Sequence, residues 1–194
     1  TIRDRHDGNW WLYLAIGGNV TNNGTWTNYR TTLNGSGNQT MSQAAGTNWG
    51  SSITLDKSGG EIVAGSDLEI SQTMTMNFGT LRMGGYDLTF RGSPFLQSGT
   101  VYTTGGLSQV DGAGEVIKST RFIGTTTIRN TVHIGQGNVF EGTLIVDGTL
   151  QNALNRDVTN TVEGNVINNG SIQNIVSNWW LTLNITGNIT NNGV

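Results

Sequence analysis

Asp67 in GSDLEI and Asp87 in GYDLTF sit in related surroundings, and the offset of 20 between them suits them to act together. If that offset makes one structural turn, the two carboxylates stack. A stacked pair could hold Ca²⁺ or work as an acid and a base. The same residues also suit a plainer task, capping backbone N–H groups in a turn. No Lys or Arg occupies a matching position and no third carboxylate continues the series, so capping is the favoured reading. Asp111, Glu115, Glu141, Asp147 and Glu163 scatter through the second half without pairing. His6 and His133 stand far apart in the chain, which argues for neither a metal pair nor a triad, and each reads as a surface or strand histidine. The chain has no cysteine, which excludes thiolate catalysis, thiolate metal sites and disulfides together. The expectation is a non-enzyme with no catalytic residues, no metal site and no cofactor.

Aromatic pairs offer a different chemistry. In NWWLYL and NWWLTL one Trp shares parity with the apolar residues that follow, and the other does not. Strand alternation then predicts Trp10 and Trp179 buried, with Trp11 and Trp180 facing outward. Outward Trp can stack on a sugar ring, form a lateral contact or lie under a loop from a neighbouring coil, which is the favoured reading. Trp11, Trp180, Asp67 and Asp87 are therefore the candidate surface contacts. Trp26, Tyr29 and Trp49 fall in residues 25–50, a less regular segment expected to be a covering loop or an irregular coil.

Composition states what must position these groups. Gly (29), Thr (28) and Asn (23) dominate the 194 residues, charged residues make up 12%, and there are two lysines, Lys57 and Lys118. Such a chain is poor in helix formers and rich in β-branched residues and turn formers, so it is all-β. A net charge of −3 with dispersed basic residues gives no footprint for nucleic acid. No apolar stretch approaches the ~20 residues that span a bilayer. The sequence begins (TIRDRHDGNWW) and stops (NNGV) in mid-pattern, as expected of a mature or excised piece of something longer.

Repetition decides the architecture. Residues 9–24 recur at 178–193, an offset of 169 with 12 of 16 positions identical. Inside this superrepeat a Gly–polar–apolar mark begins at Gly18, Gly60, Gly79, Gly99, Gly142, Gly164 and Gly187. Most steps between these marks are short and nearly equal, and the two long ones, Gly18 to Gly60 and Gly99 to Gly142, are each twice a short one. Weaker marks near Gly37 and Thr120 fill the two gaps, so eight steps of about 21 residues cover the offset. One such unit is too small to bury its own apolar face, whereas stacked units share a core. Trp10/Leu12/Leu14/Ile16, Trp179/Leu181/Leu183/Ile185, Leu68/Ile70 and Leu88/Phe90 show the alternation this requires. The expected fold is one right-handed parallel β-helix (β-solenoid) over residues 1–194, with coils of about 19–23 residues. Its handedness follows the general preference of parallel crossovers. A β-sandwich or closed antiparallel barrel is the competing fold.

The stretches SSITLDKSGGEIVAGSDLEI (51–70) and GTLRMGGYDLTF (79–90) resemble β-helical repeat regions of large secreted bacterial surface proteins. GNVTNNGTW (18–26) and LNGSGNQT (33–40) are similar to stretches of the same regions, which occur in Bacteroidetes-type secretion cargo and filamentous adhesins. The resemblance covers most of residues 9–110 and returns at 142–194. It implies an extracellular or cell-surface location and a stalk, adhesive rod or filament role, with neighbouring repeats or further copies stacked on the open solenoid ends. It carries no catalytic motif. A carbohydrate-binding or carbohydrate-cleaving β-helix, with surface glycans as partners, is the alternative.

Overall fold

A computed structural model describes residues 1–4, 10–92, 96–152, 154–175 and 177–194. His6 and Asn9 therefore lie outside the described residues. The described chain is all-β, without helices, and winds as a parallel β-solenoid of about nine coils. The coils build three faces, on which strands pair in parallel from one coil to the next.

The first face stacks Tyr13–Ile16, Arg30–Leu33, Ser52–Asp56, Met74–Phe78, Leu96–Gln97 and Ile117–Lys118. A bridge from Ile117 to Ile134 carries it on to Thr131–His133, Thr149–Asn152 and Ser171–Asn174. The second face is one nine-stranded sheet: Val20–Asn22, Gln39–Gln43, Ile62–Ala64, Thr80–Gly84, Thr100–Thr103, Arg121–Ile123, Val139–Glu141, Val158–Val162 and Leu181–Ile185. The third starts with Ile2–Arg3 and Trp26–Thr27, which Trp49 bridges to Leu68–Ile70. It continues through Leu88–Arg91, Gly106–Val110, Thr126–Ile128, Leu144–Val146, Val166–Asn168 and Ile189–Asn191. Coil length follows from the register. On the second face the step is shortest where Arg121 meets Val139, and it is several residues longer where Met41 meets Ala64.

Alternate residues of each strand point inward and build one continuous core, from Val20 and Trp26 to Val162 and Val166. Burying each such aliphatic or aromatic side chain stabilises by about 1.5–3 kcal/mol, a gain no coil could secure alone. Identical types stack: Phe122 lies on Phe140, ring centroids 5.1 Å apart and nearly parallel. The glycine marks have a steric cause. A Cβ on Gly164 would collide with the Gly142 carbonyl oxygen, and one on Gly187 with that of Gly164. Successive backbones touch there, so only glycine fits.

Residues 25–50 form the second coil of the stack. Trp26–Thr27, Arg30–Leu33 and Gln39–Gln43 are strands, and Trp26 and Trp49 are core residues 4.9 Å apart. The segment covers the solenoid as a layer of it, not as an external loop.

The superrepeat is not a whole number of turns. Tyr13–Ile16 lies on the first face, but its copy Leu181–Ile185 lies on the second. Val20–Asn22 lies on the second, and its copy Ile189–Asn191 on the third. Ile2–Arg3 and Ser171–Asn174, each preceding the copied stretch, are likewise one face apart. The superrepeat thus makes eight coils and one further face, where the spacing alone indicates eight coils. The glycine marks shift with it. Gly99 precedes a second-face strand and Gly142 a third-face one, so the long step between them is more than two turns.

Candidate functional site

The stacked carboxylates do what turn aspartates do. Asp67 Oδ1 accepts the Asp87 N–H at 2.9 Å, and Asp87 Oδ1 accepts the Gly106 N–H at 2.6 Å. Each carboxylate caps the start of the next coil's third-face strand. A cation reaches Asp87 from outside the 20-residue series: Arg129, two coils on, lies 3.3 Å from it. Beside Asp67 a groove of about 360 Å³ is lined by Gln43, Thr47, Asp67, Glu69 and Thr89. Among the described residues no three His, Asp or Glu side chains are grouped as a metal site would need.

The other surface charges form ladders along the faces. Arg82 binds both Glu61 oxygens at 2.6 and 2.7 Å and lies 4.4 Å from the Tyr102 ring centroid. The Arg82 hydrogen bonds hold the Glu61 carboxyl below its ordinary value. Arg91 joins Glu69 at 2.7 Å to Asp111 at 2.8 Å, and Arg121 pairs with Glu141. These pairs are exposed, so each contributes little stability.

Three titratable groups lie deeper. Burial pushes the Glu115 carboxyl up, against the pull of Arg156 at 3.4 Å, and its Oε1 has no hydrogen-bond partner. His133 is a strand histidine, one of the two places expected of it, and it is buried. Its Nδ1–H donates to Gln109 Oε1 at 2.6 Å, and its Nε2 accepts from Gln151 Nε2 at 2.7 Å. Gln173 Nε2 then donates to Gln151 Oε1 at 2.9 Å, completing a ladder over four coils. Burial lowers the His133 pKa, and this tautomer suits the neutral ring. Lys57 is equally hidden. Its ammonium donates to Gly35 O and Gly37 O at 2.8 Å each and to Gln39 Oε1 at 2.6 Å, so all three protons are satisfied. Nothing in the spacing of Lys57 or His133 announced these roles. For Lys57 the one available signal was a polar residue at the inward phase of Ile53 and Leu55, and His133 alternates against the inward Val132.

The tryptophans need a correction. Trp10 is 80% and Trp179 36% exposed, while Trp11 and Trp180, expected outside, are 51% and 64% exposed. The strands begin only at Tyr13 and Leu181, so alternation does not extend back to Trp10 and Trp179. Trp11 instead meets Tyr29 at 4.8 Å, and Tyr29 meets Tyr13 at 5.2 Å. Arg30 stands 6.0 and 5.8 Å from the Tyr13 and Tyr29 centroids. This outward aromatic cluster joins the first and second coils. Trp180 is placed on a different face and shares no ring contact with it.

No family model, curated protein or solved structure matches the chain. Among the described residues, no helix is long and apolar enough to cross a membrane.

Proposed function

We propose that this chain is a structural or adhesive repeat segment of the cell surface, a building block of a stalk, rod or filament. One observation carries the reading: the chemistry that can be placed here is spent on joining one coil to the next. Asp67, Asp87, Asn138, Asn165, Lys57 and His133 each bind a neighbouring layer. Nine coils at the ~4.8 Å strand spacing give a rigid body about 40 Å long. Each described layer pairs its strands in parallel with the next, the mode by which a further layer of the same chain or of another copy would add. The resemblance to β-helical repeat regions agrees with this role and with an extracellular bacterial location. Sedimentation and light scattering across a concentration series test it. Mass should grow with concentration toward linear species, and a strict monomer at millimolar concentration would contradict it.

The second reading is glycan binding, favoured by the Trp11/Tyr13/Tyr29 cluster with Arg30 beside it, since ring faces and a guanidinium suit sugar hydroxyl and C–H surfaces. A glycan array decides it. Binding that disappears in Trp11→Ala and Tyr29→Ala supports it, and silence across the array removes it.

A further inference from the structure

From Arg82 on, every arginine is paired with a carboxylate of another coil, as Arg82 is with Glu61 and Arg91 with Glu69 and Asp111. Arg30 differs, since it meets no carboxylate among the described residues. Its backbone is tied into the first face, where its N–H donates to Leu12 O and its carbonyl accepts from Asn28 Nδ2. Its side chain leaves the sheet beside its register partner Tyr13. The guanidinium stands 6.0 and 5.8 Å from the Tyr13 and Tyr29 centroids, at the outer reach of a cation–π contact. That contact places the group but uses none of its five N–H donors. The rings beneath it are open too, Tyr13 being 58% and Tyr29 41% exposed.

The internal copy separates this cluster from what the fold needs. Tyr13 returns as Thr182, yet Leu181–Ile185 forms a strand as Tyr13–Ile16 does. The ring is therefore not required to build the strand. Stacking does not cover the cluster either. Tyr13 and Arg30 point sideways out of the sheet, across the direction in which coils add, so a layer placed before the first coil leaves them open. Beside Arg30 the outward side of the same face carries Thr32, Thr54 and Thr75, register partners in successive layers.

We propose that this patch of the first face binds an acidic glycan. Arg30 takes the oxyanion, a uronate carboxylate or a sugar sulfate, in a charge-assisted pair. The Tyr13 and Tyr29 rings take a C–H face of the sugar, and the threonine hydroxyls exchange hydrogen bonds with its hydroxyls. This deepens the glycan reading and rests on it, naming the charge the ligand carries and the side chain that reads it.

Binding of the full chain is measured on an oligogalacturonate and its methyl ester, and on a sulfated galactan oligosaccharide and its desulfated form. A charged probe should bind at least about tenfold more tightly than its neutral counterpart, as a hydrogen-bonded charge requires, and salt should narrow that gap. The probe that shows the gap identifies the oxyanion. Arg30→Gln should abolish the preference, and Tyr13→Thr, which installs the residue of the copied strand, should weaken binding several-fold. Arg121→Gln, which removes an exposed but paired arginine on the second face, should leave binding unchanged. Far-ultraviolet circular dichroism checks that each variant is folded. Equal binding to charged and neutral probes, a preference that survives Arg30→Gln, or an equal loss in Arg121→Gln would overturn the acidic-glycan inference and leave the glycan reading standing. Silence on all four probes overturns the inference as well, whereas the glycan reading falls only with silence across the whole array.

Discussion

The two halves of the solenoid hold their coils together with different chemistry. Up to Asp111 charged contacts run between the layers beside neutral ones such as Asn22–Asn48 and Thr31–Ser51: the Lys57 ammonium in its cage of oxygens, then Glu61–Arg82 and Glu69–Arg91–Asp111. In the second half, beside the pairs Arg121–Glu141 and Arg156–Glu115, neutral amides predominate. Asn138 binds Asn160, Asn168 binds Asn191, Asn169 is bound by Asn192, and a ladder starting at Gln109 runs through the buried His133 and Gln151 to the exposed Gln173. Stacking therefore asks only that each layer's polar atoms meet a complement in the next. The halves should separate in how they respond to truncation, pH and salt.

The largest effect is expected in the amide half. Asn138 is fully buried, accepts the Thr120 N–H at 3.1 Å and donates to Gly135 O and Asn160 Oδ1 at 3.0 Å each. Asn138→Ala leaves several buried groups without partners and should cost about 3–4 kcal/mol in urea denaturation. Lys57→Met tests the charged half in the same assay. It orphans two backbone carbonyls and leaves Gln39 Oε1 with the Gly35 N–H alone, at a cost of about 2–3 kcal/mol. A cost below about 1 kcal/mol for either would mean that water or rearrangement replaces the ladder.

The pH response should follow the histidine. His133 has a folded-state pKa below its ordinary 6.5, so its contribution is complete above 6.5 and lost as pH falls through the lower folded value. Thermal melts should show stability declining on acidification below 6.5, and His133→Gln should flatten that decline. Glu115 acts in the opposite sense. Its folded pKa is raised, so its contribution is present in acid and lost as pH rises through the folded value. A His133→Gln profile identical to the parent would show that the ladder does not carry the acid sensitivity. The smallest effect belongs to the exposed pair. Arg82→Ala should change stability marginally, and high salt should remove even that difference.

Much of the solenoid was legible in the sequence because its cause is local. Glycine recurs where backbones touch, as at Gly142, Gly164 and Gly187, and alternation follows from strand geometry at Leu68/Ile70 and Leu88/Phe90. Parity failed at Trp10 and Trp179 because both precede their strands. It was not applied to residues 25–50, where Trp26 and Trp49 prove to be core. The face of each copy was illegible for a deeper reason. Local conformation travels with the sequence, as Leu12 and Leu181 show: each N–H is accepted by a side chain from the segment before it, Asp4 or Asn174. The face depends on the length of chain wound between the copies, and no single motif encodes that sum. The roles of Asp67 and Asp87 were readable from their turns, whereas Arg129 reaches Asp87 from two coils away with no sequence mark.

The displaced copy is the central claim, and one disulfide tests it directly. Thr159 and Thr182 are register partners on the second face, both outward. A Thr159→Cys/Thr182→Cys chain should close an intrachain disulfide quantitatively under mild oxidation, read by mass spectrometry of the folded protein. If Thr182→Cys instead closes with Gln173→Cys, on the first-face strand Ser171–Asn174, and not with Thr159→Cys, the copy lies on the same face as Tyr13–Ile16 and the one-face displacement is wrong.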